Sequence, residues 1–197
     1  MKKVREIKKQ KDSKTTQKVV LGLFIAFIMV FSMVSVFTGN QNNSFKFNGF
    51  KFKVEENSIS SKINGAEIVF NYPPYSLENL SYDNNINEML KNSVSIYVSS
   101  SIEEENAQAI DYVKFLFKSE MAKDSKVVLN SYSEVFEDQL QINCDNASSS
   151  NPVILFTSSN ESLISVNENC VLIEASIPND FFAFKDRLLY GYYGVLE

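Results

Sequence analysis

The chain has 197 residues, a formal net charge of −5 and no histidine. Without histidine there is no Ser-His-Asp or Cys-His nucleophile system, no histidine general base and no histidine-ligated zinc. The charge is unevenly divided. Residues 1–18 carry eight basic side chains against Glu6 and Asp12, leaving 11 basic and 22 acidic residues for the remainder, which argues against nucleic acid and against an anionic lipid surface as partners of that remainder.

Residues 19–37, VVLGLFIAFIMVFSMVSVF, carry no charge. As a helix they span roughly 28 Å, close to the ~30 Å hydrocarbon thickness of a bilayer. With Lys2, Lys3, Arg5, Lys8, Lys9, Lys11, Lys14 and Lys18 before the run and uncharged residues 38–44 after it, the positive-inside rule places the N-terminus in the cytoplasm. The expected organisation is a basic cytoplasmic tail (1–18), a transmembrane helix (19–37), a linker (38–44) and an extracytoplasmic α+β domain (45–197). A cleaved secretory signal has a shorter apolar region and a small-x-small cleavage site; here bulky Phe37 occupies the nearest candidate site. The bilayer is thus an expected partner. Gly22 and Ala26 have the small-x3-small spacing that lets apolar helices approach, a candidate contact for a homodimer.

In the exterior part, Asn48-Gly49 lies between segments that alternate aromatic and lysine residues (45–54). Asn-Gly at such a position predicts a two-residue hairpin turn, with the lysines on the wet face of a half-buried ribbon. The arm 45–47 is short for a strand. Asn64-Gly65 predicts a second hairpin, with strands at 50–54, 58–63 and 66–72 and a stop at Pro73-Pro74. Asp83–Asn87 has oxygen side chains at calcium-loop spacing, but Glu88 replaces the required glycine and Val94 the bidentate glutamate, so it reads as a turn. Residues 85–91 suit a short helix and 94–98 a strand. Ile102–Met121 is the clearest exterior helix: Ser101 and Glu104 fit a capping box, Glu103–Glu105 suit its positive end, Ile110, Val113, Phe117 and Met121 form its apolar stripe, and Lys114, Lys118 and Glu120 are expected to reach water.

A strand at 126–130 completes a strand–helix–strand crossover. Residues 136–142 alternate apolar and polar, and 153–156, 163–166 and 170–174 read as strands. Pro178 opens a closing helix with Phe181, Phe184, Leu188 and Tyr192 on one stripe; Gly191 weakens it by up to about 1 kcal/mol relative to alanine, and Gly194 suits its C-terminal cap. The fold class is α+β, a single exterior domain with an antiparallel hairpin region, a mixed sheet and two main helices.

Cys144 and Cys170 are the two cysteines. In an extracytoplasmic compartment they are expected to pair, closing a loop that stabilises by roughly 3–4 kcal/mol in the chain-entropy model. Two separate buried thiols are the alternative; a redox dithiol normally has C-x-x-C spacing. Asn42, Asn79, Asn146 and Asn160 each open an N-x-[ST] sequon and are candidate glycosylation sites.

Taken together, the apolar anchor, the Asn-Gly hairpin, Pro152–Phe156, Asn169–Ile173 and the run Asp186-Arg-Leu-Leu-Tyr190 followed by Gly194-Val195 resemble uncharacterised single-pass membrane proteins of small-genome archaea, which have a Cys-bearing exterior domain and a D-R-L-L-Y-x3-G-[IV] ending. The resemblance implies location and compactness, and brings no activity, cofactor or catalytic residue.

No catalytic, cofactor-binding or metal-ligating set is nominated by motif. The expected function is a non-enzymatic, membrane-anchored module that binds or assembles another envelope component, including an envelope protein. The surviving enzyme class is a carboxylate-dependent hydrolase acting on an envelope substrate, which needs two carboxylates about 5–10 Å apart in a cleft.

Overall fold

A computed structural model describes residues 20–29, 43–136 and 138–197. The chain divides into two units, the first ending at Asn42 and the second running from Asn43 to Glu197. In the first, residues 20–29 form a helix (α1) whose residues are all exposed. Among the described residues no helix is long and apolar enough to cross a membrane. The 19–37 span is described only in part, and the 1–18 tail and most of the linker lie outside the described residues.

The second unit is α+β, with two sheets. The hairpin sheet holds β1 (Ser44–Phe47), β2 (Phe50–Val54), β3 (Ile59–Ile63) and β4 (Ala66–Phe70), antiparallel in sequence order. Both Asn-Gly turns have positive φ at both residues, 45° and 85° at Asn48-Gly49 and 51° and 87° at Asn64-Gly65. This is the twist that a two-residue hairpin needs. The short first arm is a formed strand, because its register brings Phe45 opposite Phe52 and their rings stack at 5.1 Å.

The second sheet is mixed, ordered β6-β5-β7-β9-β8. It contains β5 (Ser95–Ser100), β6 (Val127–Asn130), β7 (Val153–Ser158), β8 (Leu163–Asn167) and β9 (Cys170–Ala175). β5 runs parallel to β6 and β7, β7 parallel to β9, and β8 antiparallel to β9. Among the described residues three α-helices complete the unit: α2 (Asn85–Asn92), α3 (Ala107–Ala122) and α4 (Pro178–Tyr192). α3 makes the expected β5–α3–β6 crossover.

α4 lies between the two sheets. Tyr190 stacks on Phe70 of β4 at 4.2 Å and meets Phe52 edge-on at 6.1 Å. Phe181 faces Phe156 of β7 at 6.2 Å. Those two positions are nine residues apart, about half a turn out of phase at roughly 100° per residue. The closing helix is therefore buried nearly all round, including Lys185, Asp186 and Arg187, and is wider than the expected single stripe. Gly191 is where α4 passes α2: a Cβ there would sit 2.1 Å from Asn87 Oδ1 and 2.7 Å from the Tyr82 hydroxyl. Gly194 (φ 71°) ends the helix, with the Val195 N–H donating to Tyr190 C=O at 2.8 Å.

The expectations for α3 are corrected. α3 begins at Ala107 with no side-chain cap; Ser101 Oγ instead donates to Glu134, and Glu104 Oε2 accepts the Ser158 N–H at 2.6 Å. The capping-box residues, and the Glu103–Glu105 triplet with them, therefore precede the helix and partly join separate strands. Lys114 and Glu120, expected in water, are buried. The alternating residues before Cys144 belong to an excursion that closes on itself through the Tyr132 N–H to Leu140 C=O and the Ile142 N–H to Tyr132 C=O. Cys144 and Cys170 do form a disulfide, with Cα atoms 5.3 Å apart, which ties this excursion to the start of β9.

Candidate functional site

β4 is the edge of the hairpin sheet next to the helices. Its outward amides and carbonyls have no strand to meet, and buried side chains take that role. Asp186 Oδ2 accepts the Asn71 and Tyr72 N–H groups at 2.7 and 2.8 Å, Tyr190 Oη donates to Tyr72 C=O at 2.6 Å, and Glu120 Oε2 accepts the Val69 N–H at 3.0 Å. Lys123 Nζ donates to Glu67 C=O at 2.8 Å and to Glu120 Oε2 at 2.7 Å. The other oxygen of Asp186 faces Lys185 Nζ at 2.5 Å, and that ammonium also donates to Asn71 Oδ1. Burial pushes the Asp186 carboxyl above its ordinary range, against the Lys185 charge and the two amides. Buried charge here does the work of a missing strand, since an unpaired buried amide costs about 1–3 kcal/mol. Asp186-Arg187 thus has a structural place: Arg187 lies over the Tyr82 ring at 3.9 Å and donates to Glu197 C=O.

A second buried cation closes the carboxyl ends of β5 and β6. Lys114 Nζ donates to Ser100 Oγ at 3.0 Å and to Ser131 C=O at 3.1 Å, lies 3.5 Å from Asp111 and sits 4.7 Å from the Tyr132 ring centre. Desolvation lowers its pKa, and Asp111 opposes the shift. Every partner favours an ammonium, so the Ser100–Lys114 contact fits a satisfied buried lysine better than a general base.

The outward face of the hairpin sheet is different in kind. Lys46 is registered opposite Lys51. Lys51 lies one step beyond the Phe52–Ser61 pair, and so beside Lys62, while Lys53 is opposite Ser60. Lys51, Lys53, Lys62, Ser60 and Glu67 border a shallow groove of about 410 Å³. All four lysines are exposed. Glu67, the lone carboxylate of the groove, is registered opposite Lys62, and its Oε1 accepts from Ser60 Oγ at 3.0 Å. Like charges placed directly opposite on neighbouring strands destabilise a sheet, so this row of cations is a cost to the fold. Alternation in 45–54 puts three of the lysines on the wet side of the first hairpin; Lys62 joins them only through the β2–β3 register, which no local pattern announces.

The expected site residues fall elsewhere. Cys144 and Cys170 form the disulfide. Asn79, Asn146 and Asn160 are exposed, although Asn146 Oδ1 already accepts the Asn143 N–H. Asn42 lies outside the described residues. Gly22 and Ala26 lie one turn apart on α1, both exposed. Asp83, of the calcium-like spacing, caps the Asn85 N–H, and no cluster of metal-ligating side chains occurs among the described residues. No family model, curated protein or solved structure matches the chain.

Proposed function

We propose that this chain is a single-pass membrane protein whose domain from residue 45 onward is extracytoplasmic and acts as a non-enzymatic binding module. The hairpin-sheet face made by Lys46, Lys51, Lys53 and Lys62 is its contact surface for an anionic component of the cell envelope. The apolar run at 19–37 supports the tether, and the positive-inside asymmetry supports the topology. The observation that carries the binding role is the gathering of four lysines on one small sheet face, with Lys46 and Lys51 directly opposed, in a part of the chain that is otherwise strongly acidic. A rigid platform built from β4's side-chain bolts and the stacked Phe70–Tyr190 pair suits a surface that must keep its charges in register.

The test is retention of the detergent-solubilised full chain on a phosphate-bearing cation-exchange matrix at neutral pH. The wild type is expected to elute at higher salt than the K46Q/K51Q/K53Q/K62Q variant. Both share the basic tail, and K46Q/K51Q is expected to lower the eluting salt more than K91Q/K118Q, which removes the same charge away from the sheet face. Identical elution contradicts the proposed surface.

A further inference from the structure

The chemistry of that face, and its place in the chain, identify what it meets. We infer that the Lys46–Lys51–Lys53–Lys62 face docks on the anionic headgroups of the same membrane that anchors the chain, so that the domain lies with its hairpin sheet against the bilayer. This inference rests on the single-pass reading above.

Three observations converge on it. First, the apolar run ends at Phe37 and β1 begins at Ser44. Seven residues reach at most about 25 Å even when fully extended. The first strand of the basic sheet is thus tethered near the membrane surface, and a short tether turns a weak contact into an effectively intramolecular one. Second, the cations are spread over a sheet face and a shallow groove instead of converging in a closed pocket, which fits an extended layer of charge better than a single small ligand. Third, outside these four lysines the chain beyond residue 18 holds seven basic residues against 22 acidic ones. The overall acidity, which disfavours an anionic surface when spread evenly, here becomes the orienting force: the lysine face is attracted while the remaining acidic surface is repelled. The Debye length is about 8 Å at physiological salt, so attraction acts only when the face is nearly in contact and weakens as salt rises. Where the outer leaflet carries anionic lipid, each lysine held at it contributes about 1 kcal/mol, a factor of roughly 5 in the docked population.

The experiment reconstitutes the full chain in lipid nanodiscs, one set wholly zwitterionic and one with about a third anionic lipid. Acetylation rates of individual lysines are then read by mass spectrometry at low and high salt. In anionic discs Lys46, Lys51, Lys53 and Lys62 are expected to react at least 5-fold more slowly than in zwitterionic discs. High salt is expected to restore their rates, and exposed Lys91 and Lys118 are expected to react alike in both. Equal rates at the four lysines in a chain that enters both discs overturn the docking and leave the membrane anchor standing. A chain that enters neither disc overturns both.

Discussion

Asp186→Ala removes the group that holds the β4 edge to α4. The side chain is wholly buried, and it supplies the acceptor for the Asn71 and Tyr72 amides as well as the counter-charge of Lys185 at 2.5 Å. Removing one partner of a buried ion pair costs about 3–5 kcal/mol, because the remaining charge is left without compensation. The two orphaned amides belong to the same network, so their costs overlap and do not simply add. A loss of about 4 kcal/mol is expected, a large share of the roughly 5–15 kcal/mol that stabilises a domain. At about 2–4 °C per kcal/mol for a domain of this size, the melting temperature should fall by about 12 °C. There is no tryptophan, so the assay is urea unfolding followed by far-ultraviolet circular dichroism. Asp186→Asn retains one acceptor without the charge and should lie between Asp186→Ala and wild type. Hydrogen exchange adds a local readout: the Asn71 and Tyr72 amides should lose protection in Asp186→Ala. A loss under about 1 kcal/mol, or unchanged protection of those two amides, refutes the edge-bolt argument.

Gly191→Ala should destabilise by about 1–3 kcal/mol, although helix propensity alone predicts a gain of up to about 1 kcal/mol; the new Cβ meets Asn87 Oδ1, and thermal melting gives the sign directly. Lys114→Met should change the pH dependence of stability. The folded-state pKa of Lys114 is lowered, so between that value and the ordinary lysine pKa the unfolded chain binds more protons and stability rises with pH; the variant should lack this rise in urea midpoints measured across the alkaline range. Replacing both Cys144 and Cys170 with serine opens a link of sequence separation 26, worth about 3.5 kcal/mol in the chain-entropy model. Hydrogen exchange in that variant should rise first in the excursion around residues 131–152.

Local chemistry left readable marks wherever a residue had a single backbone role. Asn48-Gly49 and Asn64-Gly65 announced hairpins because both turn positions need positive φ, and Pro178 and Gly194 bounded α4 for the same kind of reason. The cysteine pairing was legible because Cys144 and Cys170 are the chain's two thiols. The sequence was opaque where partners are distant. Ser101 and Glu104 have capping-box spacing, yet their side chains answer to Glu134 and Ser158. Lys114 and Glu120 sit at positions that periodicity assigns to water, and only Ser100, Ser131 and the Val69 amide explain their burial. The basic face was half visible: alternation put Lys46, Lys51 and Lys53 on one side of a hairpin, but their junction with Lys62 depends on strand pairing. Asp186 gives no local sign that its partners are the Asn71 and Tyr72 amides, because nothing nearby shows that α4 runs between two sheets.

The most direct test of the basic face as a contact surface is lysine footprinting of the chain in its native membranes. Acetylation at each lysine is compared with that of the detergent-solubilised protein, at physiological and at high salt. If the face binds an anionic envelope component, Lys46, Lys51, Lys53 and Lys62 are protected together in membranes and released together by salt, while Lys91 and Lys118 stay reactive throughout. If all six react as readily in membranes as in detergent, the face is a solvated surface and the binding role assigned to it is wrong.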